Sequence, residues 1–298
     1  MVNLSTMTLF KQLAPPNCVC LSEEQLKQLQ TILISILNDI TDFCDRNGLN
    51  YFLGGGTALG AVRHQGFIPW DDDIDINMPR RDFERFASEF PKEFQEKYWL
   101  HVPNTTQNYG LLLARVRLKG TRVRTRDDFF NEECGAFVDI FLIENTYDDS
   151  LRRTLHGFGS FVLGFCLSCR KFYRDRIQLL AIVEKASPAE RIFKVKIALG
   201  FLLSWASLDR WTRWADRWNA QCKNEHSRYV TMPAGRKYFF GEMYLREELC
   251  KSKPYLFEGK WRSCSLGIDR YLTGLYGDYM TIPKIENRER HLFWEFEL

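Results

Sequence analysis

Between Asp71 and Asp75 the chain reads Asp-Asp-Asp-Ile-Asp, and Ile76 continues the alternation. In extended backbone successive side chains take opposite faces, so Asp73 and Asp75 project together while Ile74 and Ile76 enter the core. Two carboxylates about 4 Å apart repel by roughly 1 kcal/mol in water and about 4 kcal/mol near a protein surface, so a fold that pairs them calls for a cation. Magnesium suits the role, with manganese as the alternative ion, because it takes one or two carboxylates and fills its remaining positions with water and phosphate oxygens. Asp139 adds a third acid. It sits between Phe137, Val138, Ile140 and Phe141, where an unpaired charge would cost several kcal/mol of desolvation. If its strand lies beside that of the acidic run, Asp73, Asp75 and Asp139 form one metal-binding and catalytic site. Asp139 then binds an ion or accepts the proton of an attacking hydroxyl.

Two plainer accounts compete. A run of acids is usually a solvated loop, but the intercalated isoleucines argue against that here. Asp71, Asp73 and Asp75 also have the alternate spacing of a calcium loop, yet Ile76 stands where such a loop needs its sharp-turn glycine.

The second chemical element is a glycine cluster, Gly54 to Gly56, placed just after the apolar run Tyr51 to Leu53. Glycines permit close backbone approach, and the amides of Gly55, Gly56 and Thr57 at a helix start suit a phosphate oxygen. Arg63 and Arg115 are candidate phosphate partners, although a solvated arginine is the commoner case. His64 beside the turn is a donor contact or a structural histidine. Trp70 is a pocket wall or, with more weight, a core plug.

The elements that would carry these groups are legible in the periodicity. Ser22 with Gln25 resembles a capping box, and Leu26, Leu29, Leu33, Ile36, Ile40 and Phe43 recur at helical spacing up to Gly48. Strand, glycine turn and a helix ending near Gln65 follow, then the acids begin a strand, and Pro79 opens a helix carrying Phe83 and Phe86. Leu112, Ala114, Val116 and Leu118 alternate with Arg115 and Arg117, and Lys119-Gly120 turns the chain toward 121–126, which predicts a basic hairpin. Residues 136–143 form an apolar strand. From about Leu151 the pattern is mainly helical, including 268–279.

Bulk properties set the class. The chain has 298 residues, 45% hydrophobic and 27% charged, enough for a substantial core. A net charge of +3, from 41 basic and 38 acidic residues, gives no reason to expect nucleic acid. Nine scattered cysteines do not form a secreted disulfide framework, and the start has no basic-then-apolar leader, so the expected location is the cytoplasm. Apolar stretches 157–169 and 197–208 are too short to span a bilayer, but basic residues flank both, which leaves peripheral contact with the inner face of the cytoplasmic membrane open.

The stretch GGGTALGAVRHQGFIPWDDDIDINM, from Gly54 to Met78, resembles the LicD family of phosphotransferases, to which the fukutin-related sugar-phosphate transferases are also similar. The likeness continues in GAFVDIFL (135–142), YLTGLYGDYM (271–280) and the Arg288 to His291 tail, and departs after Asp139, where IFLIEN replaces the family's frequent IFPLD. It implies an α+β, nucleotidyltransferase-like mixed sheet with flanking helices and a mainly helical C-terminal half. The organisation would be a tail at 1–21, a catalytic core at 22–150, and a part at 151–298 completing the same domain. It further implies that Gly55 and Gly56 hold donor phosphate, that Asp73 and Asp75 bind magnesium, and that Asp139 is the third acid. The implied activity is transfer of phosphocholine, ribitol phosphate or a similar unit from CDP-choline or another CDP-alcohol to a glycan or lipid-linked glycan, such as teichoic acid or lipopolysaccharide, with release of CMP. Two rivals remain: a nucleotidyltransferase adding a nucleoside monophosphate to a small molecule, and a non-catalytic sugar- or membrane-binding module.

Overall fold

A computed structural model describes residues 18–298, so most of the expected N-terminal tail lies outside the described residues. Helix α1 (Glu23–Asn47) starts at the anticipated capping box. Ser22 Oγ accepts from the Gln25 amide at 3.1 Å and Gln25 Oε1 from the Ser22 amide at 3.0 Å. It ends at Gly48, whose φ of +62° closes the last turn. Then come β1 (Phe52–Leu53), α2 (Gly55–His64), β2 (Asp75–Pro79), α3 (Arg80–Phe94), β3 (Tyr98–His101), β4 (Ala114–Leu118), β5 (Arg122–Thr125) and β6 (Phe137–Asn145).

The main sheet runs β1-β2-β6-β4-β3, with β2 and β6 parallel and the other pairs antiparallel. Its mixed character, with helices packed against it, matches the expected fold class. Phe83, Phe86 and Phe90 of α3 recur at helical spacing and are buried. Phe43 of α1 meets Phe86 and Phe90 edge-on at 5.7 and 5.3 Å, locking the two helices together over the strands.

Helices α4 (Ser150–Arg174), α5 (Arg176–Ile182), α6 (Pro188–Leu202) and α7 (Leu208–Asn219) make the segment after residue 150 helical, as expected. Beyond it the chain returns to mixed structure: β7 (Tyr229–Thr231), α8 (Tyr238–Gly241), β8 (Met243–Leu245), α9 (Arg246–Leu249), β9 (Ser252–Phe257), β10 (Lys260–Ser265), α10 (Ile268–Tyr276) and β11 (Phe293–Glu297). Strands β7 and β8 extend the main sheet from the far end of β6.

The basic hairpin does not form. Both edges of β4 are occupied, by β3 and β6, so β5 leaves the sheet and pairs with β11 instead. The alternation that predicted it was also misleading about exposure. Arg115 and Arg117 are 3% and 0% exposed, because Asp139 and Asp128 are buried with them and supply the compensating charge.

A second buried ion cluster joins the helical segment to the sheet. Arg80, at the start of α3, donates from Nε to both oxygens of Glu144 at 3.1 Å, and from Nη2 to Asp216 of α7 at 2.8 Å. All three residues are buried. Replacing Arg80 with Met strands two carboxylates in the interior, and the expected loss is about 3–5 kcal/mol of stability, read from urea unfolding. A loss below about 1 kcal/mol would show that the triad does not clamp the two parts.

Candidate functional site

The parallel pairing of β2 with β6 puts Asp75 in register with Asp139, so the adjacency that the sequence argument required is present. The Asp139 amide also donates to the Ile74 carbonyl at 2.9 Å. Ile74 and Ile76 are fully buried. Asp71 to Asp73 lie in the segment that leads into β2 rather than within it, and Asp75 is its first residue.

The glycine turn is shaped around these acids. Gly54 caps α2, and its amide donates to the Asp75 carbonyl at 2.9 Å. Gly55 has φ +45°, and a Cβ there would come within 2.3 Å of Asp75 Oδ2; a Cβ on Gly56 would come within 2.9 Å of Asp71 Oδ2. The Gly55 amide donates to the Tyr271 hydroxyl at 2.9 Å, and Asn77 Nδ2 reaches the same oxygen at 3.2 Å. Thr57 is buried, and its hydroxyl accepts from the Asp75 amide at 2.9 Å. The Gly55 amide, expected to meet a donor phosphate, is thus taken by Tyr271, and the Thr57 hydroxyl holds the Asp75 amide.

Asp139 is clamped. Arg115 Nε donates to its Oδ1 at 2.6 Å and Nη2 to its Oδ2 at 3.2 Å, a bidentate pair over the face of Phe137. The same guanidinium lies 3.5 Å from Asp127 and 3.8 Å from Asp128. Arg115 therefore answers the desolvation of Asp139 that the sequence argument assigned to an ion, and carboxylates surround it where phosphate contact was expected.

At the other side of the cluster stands His291, which the sequence reading quoted in the C-terminal tail without giving it a role. Its Nδ1 pairs with Asp72 Oδ1 at 2.8 Å and lies 3.8 Å from Asp73 Oδ2, and its backbone amide donates to Asp72 Oδ2 at 2.8 Å. Burial alone would lower its pKa, but Asp72 and Asp73 outweigh it and push the imidazole up to about 10. Donor atoms of Asp72, Asp73 and His291 lie within 4.8 Å of one another. This convergent set shares only Asp73 with the expected trio. Asp72 was passed over because strand alternation aims it away from Asp73, and that rule fails in the irregular segment before β2.

The remaining predicted residues divide. Arg63 donates from Nη1 to the Tyr279 carbonyl at 2.9 Å and from Nε to His64 at 3.0 Å; burial lowers its pKa, opposed by the nearby charge of Asp71. Arg63 is therefore held by Tyr279 and His64, within the electrostatic reach of Asp71. Trp70 belongs to the core, with the Arg288 guanidinium 4.0 Å over its ring.

Five carboxylates, Asp71, Asp72, Asp73, Asp75 and Asp139, thus gather where two cations pair with them, Arg115 with Asp139 and His291 with Asp72, and Arg63 adds its charge near Asp71. The crowding of negative charge raises the carboxyl groups at its centre. Burial, then Asp73, Asp72 and Asp75, raise Asp71 well above the carboxylate range, and burial, then Asp73 and Asp139, do the same to Asp75. Asp71 Oδ2 is buried with no hydrogen-bond partner. An orphaned carboxylate oxygen amid crowded acids fits a hard divalent ion.

Residues 48–156 match the profile of the family described as LicD/FKTN/FKRP, nucleotidyltransferase domain. The chain is 26% identical over 273 residues to the lipopolysaccharide cholinephosphotransferase LicD of Haemophilus influenzae, covering 89% of this chain and 95% of that protein. It is 32% identical over 68 residues to the human ribitol 5-phosphate transferase FKRP, covering 23% of this chain and 12% of that one. The resemblance read from Gly54 to Met78 is thereby confirmed.

Gly55→Ala pushes a methyl group into Asp75 and strains a positive φ. Manganese affinity, followed by electron paramagnetic resonance of the free ion, should fall by about 10–100-fold, the range for lost supporting contacts at metal sites. Unchanged affinity would separate the glycine turn from the acids.

Proposed function

We propose, on the premise of a LicD-type domain at residues 48–156, that the chain is a magnesium-dependent phosphotransferase. It moves phosphocholine or a similar phospho-alcohol from a CDP-linked donor to a hydroxyl of a glycan or its lipid-linked precursor. The observation that carries this reading is the acid cluster, uncompensated by its own cations, at the start of a glycine-led helix. The named activities of the two relatives, a cholinephosphotransferase and a ribitol 5-phosphate transferase, supply the class of group transferred.

In this reading the acceptor oxygen forms a bond to the distal phosphorus of the donor diphosphate, the bond from that phosphorus to the bridging oxygen breaks, and CMP leaves. The hydroxyl proton passes to a carboxylate or to solvent. Phosphoryl transfer asks mainly for alignment and charge neutralisation. When bound, the divalent ion supplies neutralisation at the diphosphate, and Asp73 and Asp75 would hold it, with Asp72 and His291 at its side. With the Gly55 amide engaged by Tyr271, a phosphate oxygen at the helix start would fall to the amides of Gly56 and Thr57. Arg63 adds positive charge beside Asp71. Both oxygens of Asp139 already accept from Arg115, which weakens it as a proton acceptor and favours a charge-setting role toward the ion.

Authentic nucleotidyl transfer would use the same fold and acids and is separated by its products. Incubation with magnesium, a panel of CDP-alcohols and candidate glycans should release CMP with the phospho-alcohol on the acceptor. Pyrophosphate release from a nucleoside triphosphate would establish the other reaction. Asp73→Asn and Asp139→Asn should each lower kcat by roughly 100-fold or more with an unchanged circular dichroism spectrum. Turnover like that of the natural chain in either variant removes that residue from its role.

A further inference from the structure

Helix α4 presents Leu151, Leu155, Phe158 and Val162 along one exposed stripe, at the spacing that keeps side chains on a single helix face. The stripe borders a groove of about 560 Å³ against α7, lined by Phe158, Val162, Trp214, Trp218 and Arg217 among others. Trp214 in turn lies 5.6 Å from Trp205, which follows α6 and is 66% exposed beside exposed Leu202. The apolar surface is therefore continuous from α4 across α7 to the end of α6. Exposed apolar patches of this kind mark interaction surfaces rather than ordinary solvated ones.

Charge identifies what the patch meets. Helix α4 contains no Asp or Glu in 25 residues. On α7, Arg210, Arg213 and Arg217 are exposed on one face, while of its two acids Asp209 accepts the Asn108 amide at 2.6 Å and Asp216 is buried against Arg80. Glu190, the one acid of α6, pairs with Lys194 at 2.8 Å. A second copy of the chain packed symmetrically here would bring arginine stripes face to face. Aliphatic and tryptophan side chains rimmed by unopposed arginines suit an anionic lipid surface, with the apolar groups entering the headgroup boundary and the cations remaining at phosphate level. No helix among the described residues is long and apolar enough to cross a membrane.

We propose that the face formed by α4, α7 and the end of α6 docks flat on an anionic bilayer. Lys171, nine residues and so about 14 Å along α4 from Val162, is ion-paired to Asp127 beside Arg115. The docking helix is thereby joined to the candidate site, and docking holds that site near lipid-linked acceptors. The proposal does not depend on which group the site transfers, because its test reads binding alone.

The test is co-sedimentation of the full chain with vesicles of equal parts phosphatidylglycerol and phosphatidylcholine, and with phosphatidylcholine alone. Binding is expected to the mixed vesicles at low salt, to weaken at high salt, and to be far poorer on phosphatidylcholine. Arg213→Gln and Arg217→Gln should each weaken it roughly fivefold, the effect of one basic group at an anionic surface. Phe158→Ser with Trp205→Ser should weaken it by about tenfold or more, with thermal unfolding followed in parallel to establish that each variant is folded. The proposal is overturned if the natural chain stays in the supernatant, if both vesicles bind it equally, or if folded variants sediment as it does. Lipid-independent dimerisation lost on the same substitutions would assign the face to a second copy and overturn it as well.

Discussion

Mutual repulsion among carboxylates is the constraint around which this molecule is arranged. Five aspartates from two neighbouring strands and the segment before them occupy one place, and placing them there is unfavourable unless charge is returned locally. Much of the surrounding structure does that. Arg115 comes from β4, His291 from the segment before β11, and Arg63 from the last turn of α2. Each arrives from a different part of the chain, so the cluster exists only once the fold has closed.

The supporting contacts also explain why the glycines are glycines. Gly54, Gly55 and Gly56 carry no side chains because Asn77, Asp75 and Asp71 already fill the space that they would take. Tyr271, 216 residues from Gly55 in sequence, fixes the turn from the other side through one hydroxyl shared by the Gly55 amide and Asn77. The glycine turn is thus a mould for the acids.

Local signals carried far. The capped α1, the turn into α2, the helix after Pro79 and the apolar β6 were legible because caps, glycines and periodicity act within a few residues. Asp139 was legible as a problem, an acid in an apolar strand, while the adjacency of its strand to the acidic run was only a condition of the argument, which the β2–β6 pairing meets. Its compensation was not legible. Arg115 looked like the polar face of an exposed hairpin, and only the pairing of β4 with β6 shows that this face is interior. His291 and Asp72 were missed for a related reason. Their pairing depends on a contact across 219 residues and on a backbone segment that does not obey strand alternation.

The same accounting bears on the helical segment. Lys171 of α4 and Asp127 are ion-paired, and Lys171 and Arg115 together hold the Asp127 carboxyl well below its usual range although burial alone would raise it. Arg115 in turn grips Asp139. A side chain of α4 is therefore two ion pairs away from the candidate site. Truncating Lys171 would leave Asp127 to Arg115, which it shares with Asp139, and to the nearby charge of Arg126. The helices thus do more than cover the sheet, because Lys171 of α4 ends a chain of ion pairs that runs through Asp127 and Arg115 to Asp139.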